Sequence, residues 1–281
     1  MSKLKNSLIA CGVVLFACLV AFGGWQLFGP ATVPNQVKVA SNTPKKLHLT
    51  AVGDSLTYGV GDATNNGGFV GLTKSDLEAT GRYQVTTKNY GVSGNTSTQI
   101  LSRINKQAKI RKDLTQANII TLTAGGNDLM HVLQKNFLNL SEKQITAGSA
   151  TFQKNLTTLL TTIRKQNPSA PIYVFGIYNP FYVYFPSMTA MTNSVTAWNQ
   201  ATQKTLQTFD HVYYVDIDHV LSNGDTVANK ASAKEALKEA TSGDGNPLIF
   251  SQDHFHPNNA GYAQMTKQLM HQMNATKKEW E

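Results

Sequence analysis

The chain has 281 residues, 41% of them hydrophobic and 15% charged, which excludes a disordered or collagen-like polymer and leaves apolar material for one sizeable domain with an appendage. Its net charge of +8 comes from lysines that are scattered or near the two ends, with no basic stripe interleaved with aromatics. That distribution argues against nucleic acid and suits a basic surface facing anionic lipid or wall polymer.

Lys3 and Lys5 precede "SLIACGVVLFACLVAFGGWQLFG", an uncharged run from Ser7 to Gly29 of about the length that spans a hydrocarbon core. Lysines ahead of such a run place the N-terminus in the cytoplasm and the remainder outside. Residues 1–29 are therefore read as a retained signal anchor, which makes the protein single-pass with its domain outside the cell membrane. A weak A-x-A-like cleavage site at "AFG" leaves secretion as the alternative. Both cysteines, Cys11 and Cys18, lie within this run, so the exported part forms no disulfide. "LFAC" ending at Cys18 loosely matches a lipidation box, although the residues after it are apolar rather than polar. Residues 30–46, "PATVPNQVKVASNTPKK", are polar and proline-punctuated and read as a tether.

From Leu47 onward, to Glu281, the pattern is that of one domain. β-rich runs at "LHLTAVG", "YQVTTKNYG", "NIITLTAGG", "PIYVFGIYN" and "HVYYVDID" are separated by segments of helical length. Alternation of this kind predicts an α/β fold, a mainly parallel sheet between two layers of helices. Phe152, Leu156, Leu159, Leu160 and Ile163 recur at three and four, as do Tyr262, Met265, Leu269 and Met273, and both stripes are read as core. Residues 222–250 interrupt the alternation with a polar insertion holding one helix-prone piece, "ASAKEALKEA", just before the last motif. Its position predicts a lid over the site.

Three strand ends carry polar and glycine residues instead of a plain turn: "GDSLTYG", "NYGVSGNTS" and "TAGGNDLM". In a doubly wound sheet the carboxyl ends of parallel strands share one edge, so these loops are expected to meet at one crevice. A fourth piece, "DHFHPNNAG", leads into the final helix and can reach the same edge. Each residue also has a bland reading: Ser55 as a helix cap, Gly94 as a turn glycine, Asn127 as a cap. Asp54 is read as support for the Ser55 turn and Asp128 as a cap for the helix that follows it. His254 and His256 with Asp253 offer too few ligands for a metal site, and no metal or other cofactor is expected.

The four motifs in this order resemble those of the SGNH, or GDSL, hydrolase family of esterases and lipases. The resemblance covers the domain from about Leu47 to Met273 and implies a flavodoxin-like three-layer α/β/α fold. It implies Ser55 as nucleophile, His256 as its general base and Asp253 as the group that orients the imidazole. It further implies an oxyanion hole built from the backbone amides of Ser55 and Gly94 and the side-chain amide of Asn127. Chemistry asks for such a set, because a serine hydroxyl attacks only when a base takes its proton and the developing oxyanion needs donors. No G-x-S-x-G is present, so the nucleophile elbow of α/β-hydrolases is not the relevant device.

The expected partner is a small ester or a lipid, with the membrane engaged through the N-terminal segment. O-acetylated wall polysaccharide is an alternative acyl donor, and a non-catalytic glycan- or peptide-binding module of the same fold is the competing class. The sequence carries no sign of oligomeric state.

Overall fold

A computed structural model describes residues 43–136, 141–183, 185, 187–223 and 245–281. The expected anchor at 1–29, most of the tether and residues 224–244 of the expected lid lie outside the described residues. Among the described residues no helix is long and apolar enough to cross a membrane.

The five expected strands all form: β1 (Lys45–Gly53), β2 (Tyr83–Gly91), β3 (Ile119–Thr123), β4 (Ile172–Phe175) and β5 (Val212–Val215). β1 begins at Lys45, inside the stretch read as tether, because Lys45 and Lys46 continue the parallel ladder opposite Tyr83 and Gln84. Every pairing is parallel and the strand order is β2-β1-β3-β4-β5. The chain builds outward from β1 to β2, then crosses to the other side of β1 for β3. The carboxyl ends of β1 and β3 therefore flank the switch point of the sheet, where doubly wound folds bind ligands.

Side-chain alternation along the strands assigns the two faces. Ile172 and Val174 of β4 join a cluster with Ile100, Ile104, Leu156, Leu160 and Trp198, whereas Tyr173 and Phe175 join one with Phe69, Tyr262, Met265 and Leu269. The first face is covered by α3 (Ser97–Lys106), α4 (Ala108–Thr115), α6 (Glu142–Gln166) and α7 (Thr189–Leu206), and the second by α2 (Phe69–Ala79) and α9 (Asn259–Ala275). This is the expected three-layer α/β/α arrangement. Two further helices, α1 (Ser55–Tyr58) and α5 (Gly126–Lys135), start just after β1 and β3, and α8 (Asp218–Asn223) follows β5. Both apolar stripes read from the sequence fall on buried faces, of α6 and α9.

The described end of the 222–250 stretch is not polar surface. Leu248 and Ile249 are buried in the second face, and Ile249 forms an isolated antiparallel bridge with Pro257. The reason is local: Asn246 donates from Nδ2 to the Leu221 carbonyl at 2.6 Å and accepts from Leu248 N–H at 3.0 Å, which turns the two apolar residues inward.

Candidate active site

Ser55 is the first residue of α1 and is buried. Asp54 is the N-cap: its carboxylate accepts from Leu56 N–H at 3.1 Å and from the Thr123 hydroxyl at 2.7 Å. Burial pushes the Asp54 carboxyl above its ordinary value, against the opposing effect of those bonds and of the nearby His256. The expected support of the Ser55 turn by Asp54 is thus present. It also reaches across to β3 through Thr123, whose hydroxyl lies 2.8 Å from that of Thr57. Gly53 is required at the end of β1, since an added Cβ would sit 2.3 Å from Thr123 Oγ1 and 2.4 Å from Thr57 Oγ1.

Asp253 and His256 come together. The imidazole Nδ1 lies 2.7 Å from Asp253 Oδ2, while Oδ1 of the same carboxylate accepts from the backbone N–H of Phe255 at 2.9 Å and of His256 at 3.0 Å. His254, between them, has φ of 53°, a left-handed conformation that tightens the loop. Burial pushes the Asp253 carboxyl up, but the bonds from the His256 ring and the two backbone N–H groups outweigh it and hold the group below its ordinary value. An ionised carboxylate only accepts, so the proton on the imidazole must be on Nδ1, leaving Nε2 as a base. Among the described residues no hydrogen bond joins that ring to Ser55 Oγ. Base and nucleophile commonly close up only when substrate arrives.

The loop around His256 is held by two hydrogen bonds, and a third beside it fixes α9 to the loop that follows α1. Phe250 N–H donates to the His256 carbonyl at 2.7 Å, the Tyr178 hydroxyl donates to the Phe255 carbonyl at 2.6 Å, and Tyr262 OH donates to the Val60 carbonyl at 2.7 Å. Asp62 orders the intervening loop by accepting from the backbone N–H of Thr64, Asn66 and Gly68 at 2.9 Å each. Ala63 N–H then donates to Asn259 Oδ1 at 2.9 Å, which ties this loop to the start of α9.

Ser55 and Asn127 face one small cleft, about 40 Å³ in volume, whose walls include Ala124, Ile177, Tyr178 and Phe255. Gly94 does not line it. Its loop meets Asn127 through Asn95, whose carbonyl accepts from Asn127 Nδ2 at 3.0 Å. Gly94 has φ of 79° in a turn closed by Asn95 N–H on the Val92 carbonyl at 3.2 Å, a conformation that favours glycine. Among the described residues the N–H groups of Ser55 and Gly94 find no protein acceptor.

One expectation is corrected. Asp128 does not cap α5, whose N-cap is Gly125. Its carboxylate accepts from Ser97 N–H at 2.9 Å and the Ser97 hydroxyl at 2.5 Å, so it caps the start of α3 instead. A residue inside the first turn of α5 projects outward and meets the neighbouring helix end. Among the described residues no three His, Cys, Asp or Glu side chains gather as a metal site.

Sequence reading missed Thr123, Tyr178 and Arg103. Thr123 left a signal, a hydroxyl closing the apolar run "IITLT". Arg103 of α3 left none beyond being a lone arginine. Its Nε donates to Asn95 Oδ1 at 2.7 Å, and its two terminal nitrogens donate to the carbonyls of Tyr90 and Gly53 at 2.9 Å each. Burial pulls its guanidinium below the ordinary value, while the Asp54 charge opposes this.

Residues 51–264 match the GDSL-like lipase/acylhydrolase family. The chain is 30% identical over 230 residues to an uncharacterized protein, YpmR, of Bacillus subtilis, covering 82% of each. It is 28% identical over 227 residues to the spore germination lipase LipC of Bacillus licheniformis, covering 79% of this chain and 94% of that one. Among solved structures it resembles the lipase Lip_vut3 from a goat rumen metagenome, with a TM-score of 0.63, 25% identity and coverage of 80% and 96%.

Proposed function

The chain belongs to the GDSL-like lipase/acylhydrolase family, an esterase and lipase-type family, and from that premise we propose that it hydrolyses carboxylic esters through an acyl-Ser55 intermediate. The observation that carries this reading is the Asp253–His256 pair at 2.7 Å, with its carboxylate kept ionised, one residue from a cleft shared by Ser55 and Asn127. Ser55 Oγ attacks the ester carbonyl carbon as its proton passes to His256 Nε2. The tetrahedral oxyanion accepts hydrogen bonds from the N–H groups of Ser55 and Gly94 and from the second proton of Asn127 Nδ2. Collapse breaks the bond to the alcohol, which leaves with the proton from His256. Water, deprotonated by the same imidazole, then attacks the acyl carbon and returns Ser55 with free acid.

The cleft is small and its walls are largely apolar, which supports a short acyl group and also favours an acetyl ester on a polysaccharide as the second reading. The uncharged run at 7–29 behind Lys3 and Lys5 supports a membrane tether with the domain outside. Three experiments test the proposal. A fluorophosphonate probe should label wild type at Ser55 and leave Ser55→Ala unlabelled, whereas a binding module of this fold would not react at all. A hydrolysis panel across acyl chain lengths and acetylated sugars should favour the shortest acyl groups; best turnover on long-chain esters would overturn the short-acyl reading. Protein found in the cytosol, and not released from membranes by external protease, would overturn the tether.

A further inference from the structure

The Gly94 loop is fixed by hydrogen bonds and not by packing. Val92, Ser93 and Gly94 are exposed, and a Cβ added at Gly94 would meet nothing within 4 Å. Apart from its own turn, the loop is tied down by Val92 N–H on the Gly53 carbonyl at 3.1 Å, by Asn127 Nδ2 on the Asn95 carbonyl at 3.0 Å and by the Arg103 bond to the Asn95 side chain. A backbone amide that must meet an oxyanion within a few tenths of an ångström needs more restraint than one turn supplies.

Arg103 meets that need with one rigid fork. Its three acceptors are Gly53, two residues before Ser55; Tyr90, at the end of β2; and the side chain of Asn95, next to Gly94. All three are neutral oxygens, so the cation does not serve as half of an ion pair. The Asn95 carbonyl in turn accepts from Asn127. The nucleophile strand, the Gly94 loop and the Asn127 amide are thereby connected through a single planar group.

We propose that Arg103 is a positioning residue for the oxyanion hole, locking the Gly94–Asn95 loop to the Ser55 strand so that the Gly94 and Asn127 donors converge on one point. This rests on the reading of Gly94 and Asn127 as oxyanion donors. A guanidinium does this and an ammonium does not, because only the fork reaches three oxygens held at fixed separation.

The test uses the full chain and a chromogenic acetate ester. Arg103→Met should lower kcat by roughly 10–100-fold, below the roughly 10²–10³-fold loss typical of removing an oxyanion donor outright, with KM changed less than about threefold. Arg103→Lys should fail to restore kcat, and the pH midpoint of kcat/KM should stay at the wild-type value, since the Asp253–His256 pair is untouched. On an Asn127→Ala background, Arg103→Met should cost much less than alone, because both act on one device. Asn95→Ala removes only the link to the loop and leaves Arg103 bonded to Gly53 and Tyr90. It should give the same loss of kcat even if Arg103→Met folds poorly. If Asn127→Ala lowers kcat as an oxyanion donor should while Asn95→Ala keeps kcat within twofold of wild type, the inference about Arg103 is overturned and the oxyanion reading stands. If Asn127→Ala itself keeps near-normal kcat, the oxyanion reading fails first.

Discussion

Replacing Asp253 with asparagine separates chemistry from architecture in one step. Oδ1 of Asp253 accepts from two backbone N–H groups, and Oδ2 accepts from the imidazole. An asparagine can keep its oxygen on the two backbone donors, so the loop keeps its shape. Its Nδ2 then occupies the Oδ2 position and presents hydrogens to His256 Nδ1, which must become the acceptor. The imidazole proton moves to Nε2, the atom that has to take the Ser55 proton, and the base is disabled by its tautomer. The same exchange in a serine protease costs about 10⁴ in kcat, roughly 5.5 kcal/mol at about 1.36 kcal/mol per tenfold. Asp253→Asn should therefore lose about 10³–10⁴ in kcat with Tm nearly unchanged, whereas Asp253→Ala should lose comparable activity and also stability, since two backbone donors lose their acceptor. Steady-state kinetics and thermal melts on both variants check this. An Asp253→Asn enzyme within tenfold of wild-type kcat would falsify the assignment of Asp253 and His256 as orienter and base.

Asn127→Ala should lower kcat by roughly 10²–10³ with little change in KM, and a fall in Tm at unchanged kcat would mean Asn127 is only a structural link to Asn95. Asp62 is held below its ordinary value by hydrogen bonds from the Thr64 hydroxyl and three backbone N–H groups, which outweigh burial. Its folded value lies below its unfolded one, so its contribution to stability is present above about pH 4 and is lost as pH falls through the folded value. Melts from pH 7 to pH 3 should accordingly show a smaller acid loss for Asp62→Asn than for wild type, and parallel curves would remove that role. Asp54 has the opposite sign, since burial raises it: stability falls as pH rises through its folded value, and Asp54→Asn should flatten that fall. Leu160, fully buried in the first face, should cost about 2–5 kcal/mol when cut to alanine, read by denaturant unfolding, with kcat retained below the melt.

What was legible in the sequence depended on range. The inner strands β3 and β4 could be read because parallel strands buried on both faces become short apolar runs, the edge strand β2 because buried and exposed residues alternate from Tyr83 to Thr86, and the α6 and α9 stripes because helical period repeats within a few residues. Asp253 and His256 could be paired because they lie three positions apart and one bent loop brings them together. The loops that hold Ser55, Gly94 and Asn127 stood out as polar or glycine interruptions at strand ends, and the resemblance to the hydrolase family picked out those residues within them. Asp128 was misread and Arg103 unread for a common reason. A polar side chain's partner is set by which helix end or loop lies beside it after folding, and spacing along one helix gives only the direction in which it points. Leu248 and Ile249 were lost for a related reason, since Asn246 turns two apolar residues inward within a stretch whose average composition is polar. The residues proposed to touch the reacting ester were legible, together with the two carboxylates close to them in sequence, Asp54 and Asp253, whereas the more distant residues that hold them in place were not. A sequence match can therefore identify the chemistry while passing over the side chains that decide how well the donors are aligned. Arg103 is where that difference should appear, because exchanging it leaves every motif residue intact and still changes kcat.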